Sequence, residues 1–137
     1  MLIAMLLAGA LPANPPEPSG GYDYDAMSEA QILSLDCYSV NLGADFDVGK
    51  CLWRQSGIWD ARVDAEFAQA EQRSDPEMLG PLRKSQTLWL RYRKQACSLW
   101  DKSGLNPRFL GVKTGECRLG ITRSRVDVLK AVIGTAN

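Results

Sequence analysis

Apolar side chains recur at intervals of three, four or seven through most of this chain, and no alternating run is long enough to predict a strand. Ser28-Glu29-Ala30-Gln31 has the S-x-x-Q form of a capping box, which predicts a short helix from about Glu29 toward Ser39. Asn41, Leu42 and Gly43 end it, and Asp45 and Asp47 then suit the positive end of a new helix. That second helix is expected over Asp47–Arg73, with Val48, Leu52, Trp59, Val63, Phe67 and Ala70 on one face. Gln55 interrupts the stripe. Gly49 and Gly57 each cost about 1 kcal/mol relative to Ala, so the first half is expected to be irregular.

Ser74-Asp75-Pro76-Glu77 is a turn followed by a helix start, and Gly80-Pro81 is expected to delay regular helix to Pro81. From there Leu82, Gln86, Trp89, Arg93, Ala96/Cys97 and Trp100 form a second stripe. Gln86 and Arg93 are polar residues on an apolar face. If buried they require hydrogen-bond partners, and pairing with backbone or acids inside the hairpin is favoured over contact with a ligand. Ser103-Gly104-Leu105-Asn106-Pro107 ends the helix, the stretch to Gly115 reads as loop, and a last helix is expected over Cys117–Ile133. The fold class is all-α: an antiparallel helical hairpin plus a short N-terminal and a C-terminal helix.

The four cysteines, Cys37, Cys51, Cys97 and Cys117, are separated by 14, 46 and 20 residues. Zinc would want close C-x₂₋₄-C pairs, and histidine is absent. The even count in a small chain that reads as exported suggests two disulfides, with free buried cysteines as the remaining alternative. Reflecting Cys51 about the turn at Pro76 lands on Asp101, and Cys97 lies about 6 Å away at 1.5 Å rise per residue. All four cysteines should gather at the open end of the hairpin, and three pairings remain open.

Residues 1–13, MLIAMLLAGALPA, form an uncharged apolar run ending in small residues, as in a secretory signal peptide. No basic residue precedes the run, which implies a true start further upstream. The run is too short to span a membrane. Residues 14–27, rich in Pro, Gly and acids, read as a flexible linker, and residues 28–137 as the folded domain. A periplasmic or secreted location follows.

The net charge is zero, but residues 1–49 carry seven acids and no base, whereas residues 50–137 carry 16 bases and nine acids. The acidic stretch can either fold back on the basic part or meet a basic partner.

The central LRKSQTLWLRYRKQAC and the later Cys117…Thr122-x-x-Arg125-x-x-x-Leu129 resemble the lysozyme-inhibitor LprI-like N-terminal domain family of small exported bacterial proteins. The matching positions are Leu82, Gln86, Trp89, Arg93 and Cys97, then Cys117, Thr122, Arg125 and Leu129, with Cys37 and Cys51 as the family's first two cysteines. Lys94 stands where the family often has an acid. The motif residues read as structural.

The resemblance implies a protein-binding module of the cell envelope that inhibits lysozyme by occluding its cleft. Arg108 and Lys113, in the expected 103–116 loop, are the candidate partner-binding residues. The alternative is a periplasmic interaction or scaffold protein unrelated to lysozyme. An enzyme is not expected: Asp60, Asp64 and Glu71 share a helix surface near Arg62, but nothing supplies a nucleophile, a phosphate loop or a metal cluster. No cofactor, nucleic acid (despite Arg91, Arg93 and Lys94) or stable membrane insertion is expected.

Overall fold

The computed structural model describes residues 22–39 and 45–135, with side chains except those of 45–47 and 135. The apolar leader, linker residues 14–21, the helix stop at Asn41–Gly43 and the carboxylates of Asp45 and Asp47 lie outside the described residues. The described chain is all-α: α1 (Glu29–Ser34), α2 (Asp45–Arg73), α3 (Pro76–Ser98), a 3-10 turn at Leu99–Lys102, and α4 (Pro107–Thr135).

α1 begins as the capping box requires. The Ser28 amide donates to Gln31 Oε1 at 2.8 Å, and the Gln31 amide donates to Ser28 Oγ at 3.3 Å. The helix stops five residues short of the expected end, with Leu35 already extended. One distant and one local feature stop it. The Gln55 amide nitrogen donates to the carbonyls of Ile32 and Leu35 at 3.0 and 2.9 Å. Asp36 then folds a turn of its own, accepting from the Tyr38 amide at 3.1 Å and from the Ser39 hydroxyl at 2.8 Å. Gln55, an interruption when read as part of a stripe, is the residue that holds α1 on α2.

The three long helices run up, down and up. Arg83 on α3 reaches Glu71 on α2, and Arg93 reaches Asp60, so these two helices are antiparallel. Cys97 joins Cys117, and Arg125 bonds Gln86, so α4 is antiparallel to α3. α2 and α4 are therefore parallel, and α2 packs far more extensively on α4 than on its hairpin partner α3. Glycine allows this. A Cβ on Gly49 would lie 3.5 Å from the Gly111 carbonyl carbon, and one on Gly115 would lie 3.0 Å from the Leu52 Cβ. The expected irregularity around Gly49 and Gly57 is absent, because tertiary packing outweighs a propensity cost of about 1 kcal/mol per glycine.

α3 starts at Pro76, not Pro81. Pro76 occupies the first helical turn, where its missing N–H costs nothing. Pro81 removes one bond to the carbonyl of Glu77, at an exposed turn where water can replace it. α4 starts ten residues before the expected Cys117. The Asn106 side chain accepts from the Arg108 amide at 3.0 Å, and its carbonyl accepts from Phe109 and Leu110. Asn106-Pro107 is thus a cap followed by a first-turn proline. The loop expected at 103–116 shrinks to 103–106, and Arg108 and Lys113 are helical. Gly104 takes the turn with φ +70°, a backbone that other residues adopt only at a cost.

Two apolar clusters form the core. The upper one contains Leu35, Cys37, Val48, Cys51, Leu52 and Val112, and Tyr22, Tyr24 and Met27 from the stretch assigned to the linker pack against it. The lower one contains Val63, Ala70, Leu82, Val126 and Leu129, with Trp59, Phe67 and Trp89 at its edge. The disulfides pair neighbours in sequence, Cys37 with Cys51 and Cys97 with Cys117. No described cysteine is free. By closing loops of 14 and 20 residues, each contributes about 3 kcal/mol through the unfolded chain.

Candidate partner-binding site

Between the two clusters lies a polar layer built by all three long helices. The Asp60 carboxylate on α2 takes one guanidinium per oxygen: Arg93 Nη1 on Oδ1 and Arg118 Nη2 on Oδ2, the latter at 2.6 Å. Arg93 also donates to the Thr122 hydroxyl at 2.9 Å, and that hydroxyl donates to the Arg118 carbonyl at 2.7 Å. One turn away, Arg125 Nε donates to Gln86 Oε1 at 3.0 Å and Nη1 to Ser85 Oγ at 3.2 Å. The Trp89 ring carries the Arg93 guanidinium at 4.5 Å and that of Arg125 at 5.7 Å.

Gln86 and Arg93 are thus satisfied by the protein itself. Arg93 finds the hairpin acid Asp60, while Gln86 finds α4. The three acids grouped in the sequence separate in space. Asp60 turns inward, Glu71 pairs with Arg83 at 2.6 Å, and Asp64 is exposed. No group of His, Cys, Asp and Glu among the described residues could hold a metal ion.

A second cluster ties the N-terminal segment to α4. The Tyr38 hydroxyl donates to Glu116 Oε1, and Lys113 donates to Glu116 Oε2 at 2.9 Å. The Tyr38 hydroxyl is pushed up to about 12 by burial and by the Glu116 carboxylate beside it. Burial pushes Glu116 up, but its bonds from Tyr38 and Lys113 outweigh this and hold it below its ordinary value. The acidic N-terminal stretch also folds back at Asp25, which pairs with Arg54 on α2. Neither Tyr38 nor Glu116 stood out in the sequence, since their contact spans 78 residues.

The apolar surface of the bundle concentrates along α3, the 3-10 turn and α4. A groove of about 610 Å³ runs between Tyr92, Ala96, Leu99 and Trp100 on one side and Cys117 and Ile121 on the other. A smaller cavity of about 270 Å³, bounded by Trp89, Arg125 and Val128, shares Tyr92 and Ile121 with it. Leu99 is 70% exposed and Tyr92 59%. Beyond the groove's end, Leu105 and Phe109 are also exposed on the corner leading into α4. Arg108 projects from the same corner with no ion pair among the described residues, whereas Lys113 lines the groove and is held by Glu116.

The family model for lysozyme inhibitor LprI matches residues 39–129. The chain belongs to the lysozyme inhibitor LprI family. No curated protein and no solved structure matches it. The match contains every LprI-like motif position quoted above except Cys37. In this LprI-family chain those positions converge: Gln86, Trp89, Arg93, Thr122 and Arg125 form the polar layer, and Leu82 and Leu129 cap it from the lower cluster. The sequence reading missed Asp60 and Arg118 as members of the layer. Their charge was visible, but their inward direction depends on the register of α2 against α4.

Proposed function

We propose that this LprI-family protein is exported, with residues 1–13 as its leader, and that it binds a lysozyme in the cell envelope and blocks the active-site cleft. The observation that carries the reading is the exposed corner at the start of α4. Leu105 and Phe109 flank Arg108 there, which has no ion pair among the described residues, beside a turn braced by the nearby Cys97–Cys117 bridge. Lysozymes cut glycan with two carboxylates set in a cleft, and a cation between two apolar side chains has the chemistry to enter it and pair with one of them. Lys113 supports this from the groove wall. Burial of the apolar corner supplies affinity, and the guanidinium supplies direction. Family membership points to the same partner class.

The test is a bacterial-cell turbidity assay with lysozymes of several classes. Stoichiometric addition should slow lysis, and Arg108→Ala with Phe109→Ala should weaken inhibition at least about tenfold. Unimpeded lysis by every class would sink the reading and leave a periplasmic interaction protein with another partner. Among the described residues no helix is long and apolar enough to cross a membrane.

A further inference from the structure

Three arginines point into the bundle from α3 and α4, and they are not treated alike. Arg93 and Arg118 share the Asp60 carboxylate. Arg125 is only 7% exposed, yet no carboxylate among the described residues pairs with it. Its two hydrogen bonds go to the neutral oxygens of Gln86 and Ser85, and its Nη2 is buried without a partner among the described residues. Burial alone lowers its pKa, with no acid to oppose the shift. An uncompensated buried cation is costly, and its polar neighbours orient the guanidinium without neutralising it.

Among the described residues Arg125 is also the one charged residue lining the 270 Å³ cavity, whose other walls include Trp89, Tyr92, Ile121 and Val128. That volume leaves room for a carboxylate-bearing side chain. The cavity shares Tyr92 and Ile121 with the apolar groove beside the exposed Leu99 and Trp100. We infer that this cavity is a docking pocket for an acidic side chain of a partner protein, with Arg125 supplying the missing charge pair and the adjoining groove taking the apolar residues that flank the acid. Charge complementarity selects the carboxylate. The length and exposure of the groove select a protein-borne one, because a small free acid would leave that apolar surface uncovered. The inference holds whichever protein is the partner, so it stands apart from the lysozyme reading and from the Arg108 corner.

The test is an NMR titration of the full protein, following the Trp89 indole N–H. The probes are the blocked peptide Leu-Glu-Leu, its Leu-Gln-Leu counterpart, and acetate, each to millimolar concentration. The Glu peptide should bind at least about tenfold more tightly than the Gln peptide. Arg125→Met should abolish that preference while raising the thermal midpoint, since it removes an unpaired buried charge and keeps the side-chain length. Arg125→Lys, which keeps the charge, should retain part of the preference. Equal binding of the two peptides, or a preference that survives Arg125→Met, overturns the inference. Acetate binding as tightly as the Glu peptide also overturns it, by assigning the pocket to small acids. Absence of any shift overturns it as well.

Discussion

Asp60 is the residue on which the polar layer turns, and Asp60→Asn measures it. The carboxylate balances two guanidiniums at once, Arg93 with 13% of its side chain exposed and Arg118 with 34%, while Asp60 itself is 27% exposed. The amide keeps the shape but loses the charge, and it turns an N–H toward one of the guanidiniums. Breaking a fully buried pair costs about 3–5 kcal/mol, and an exposed pair is worth less than about 1 kcal/mol. Asp60 lies between these limits and serves two partners, one of them mostly buried. A loss of about 2–3 kcal/mol follows, or a thermal midpoint lower by about 10 °C for a chain of this size. Urea denaturation followed by circular dichroism reads the change as a shift in midpoint at constant slope. Arg93→Met added to Asp60→Asn should recover part of the loss, because it removes the orphaned cation. A single-variant loss below about 0.5 kcal/mol, typical of an unimportant surface site, would refute the reasoning. So would strict additivity of the two changes.

Two glycines of α2 and α4 should respond with opposite sign. Gly115→Ala places a methyl group 3.0 Å from the Leu52 Cβ and 3.5 Å from the Trp53 ring, so it should destabilise by about 1–3 kcal/mol. Gly57→Ala meets open space within its helix and should stabilise by about 0.5–1 kcal/mol. Denaturation midpoints moving in the same direction would deny the close approach of α2 to α4. Tyr38 gives a pH signature. Its pKa rises from 10.0 to about 12 on folding, so its contribution is fully present below pH 10 and lost as pH climbs through 12. Tyr38→Phe should lower neutral-pH stability, flatten that alkaline decline and remove the late phenolate step from an ultraviolet titration. An unchanged step would refute the Tyr38–Glu116 contact. Glu116 works in the acid direction: its lowered pKa stabilises above the ordinary 4.5 and is lost as pH falls through the folded value.

Local chemistry was the most legible part of the sequence. The Ser28 capping box and the apolar stripe of α2 depend on residues a turn or so apart, so each appears in the structure at its expected place, and the even cysteine count appears as two disulfides; the second stripe holds from Leu82 to Cys97, but Trp100 lies exposed in the 3-10 turn. The errors came where distant contacts overrule a local signal. α1 ends early because Gln55 claims its carbonyls. α4 begins early for a local reason instead: Asn106-Pro107, read as a helix stop, is a cap and first-turn proline, and Gly111 and Gly115, read as loop residues, meet α2. The disulfide pairing was open among three schemes until the helices were placed.

Sequence by itself determined an all-α chain with four paired cysteines, a charge division at residue 50, and two polar residues, Gln86 and Arg93, that had to find partners. These follow from periodicity, composition and the cost of burying a polar group, none of which needs a third dimension. Tertiary structure decided which partners they found. It set α2 parallel to α4 through glycine contacts and turned Asp60 inward between Arg93 and Arg118. It also left Arg125 buried beside an apolar groove without a counter-charge among the described residues. Such facts depend on the rotation and register of one helix against another. Only the packing of the whole bundle fixes those, because moving one helix by a single residue turns each of its side chains through about 100°.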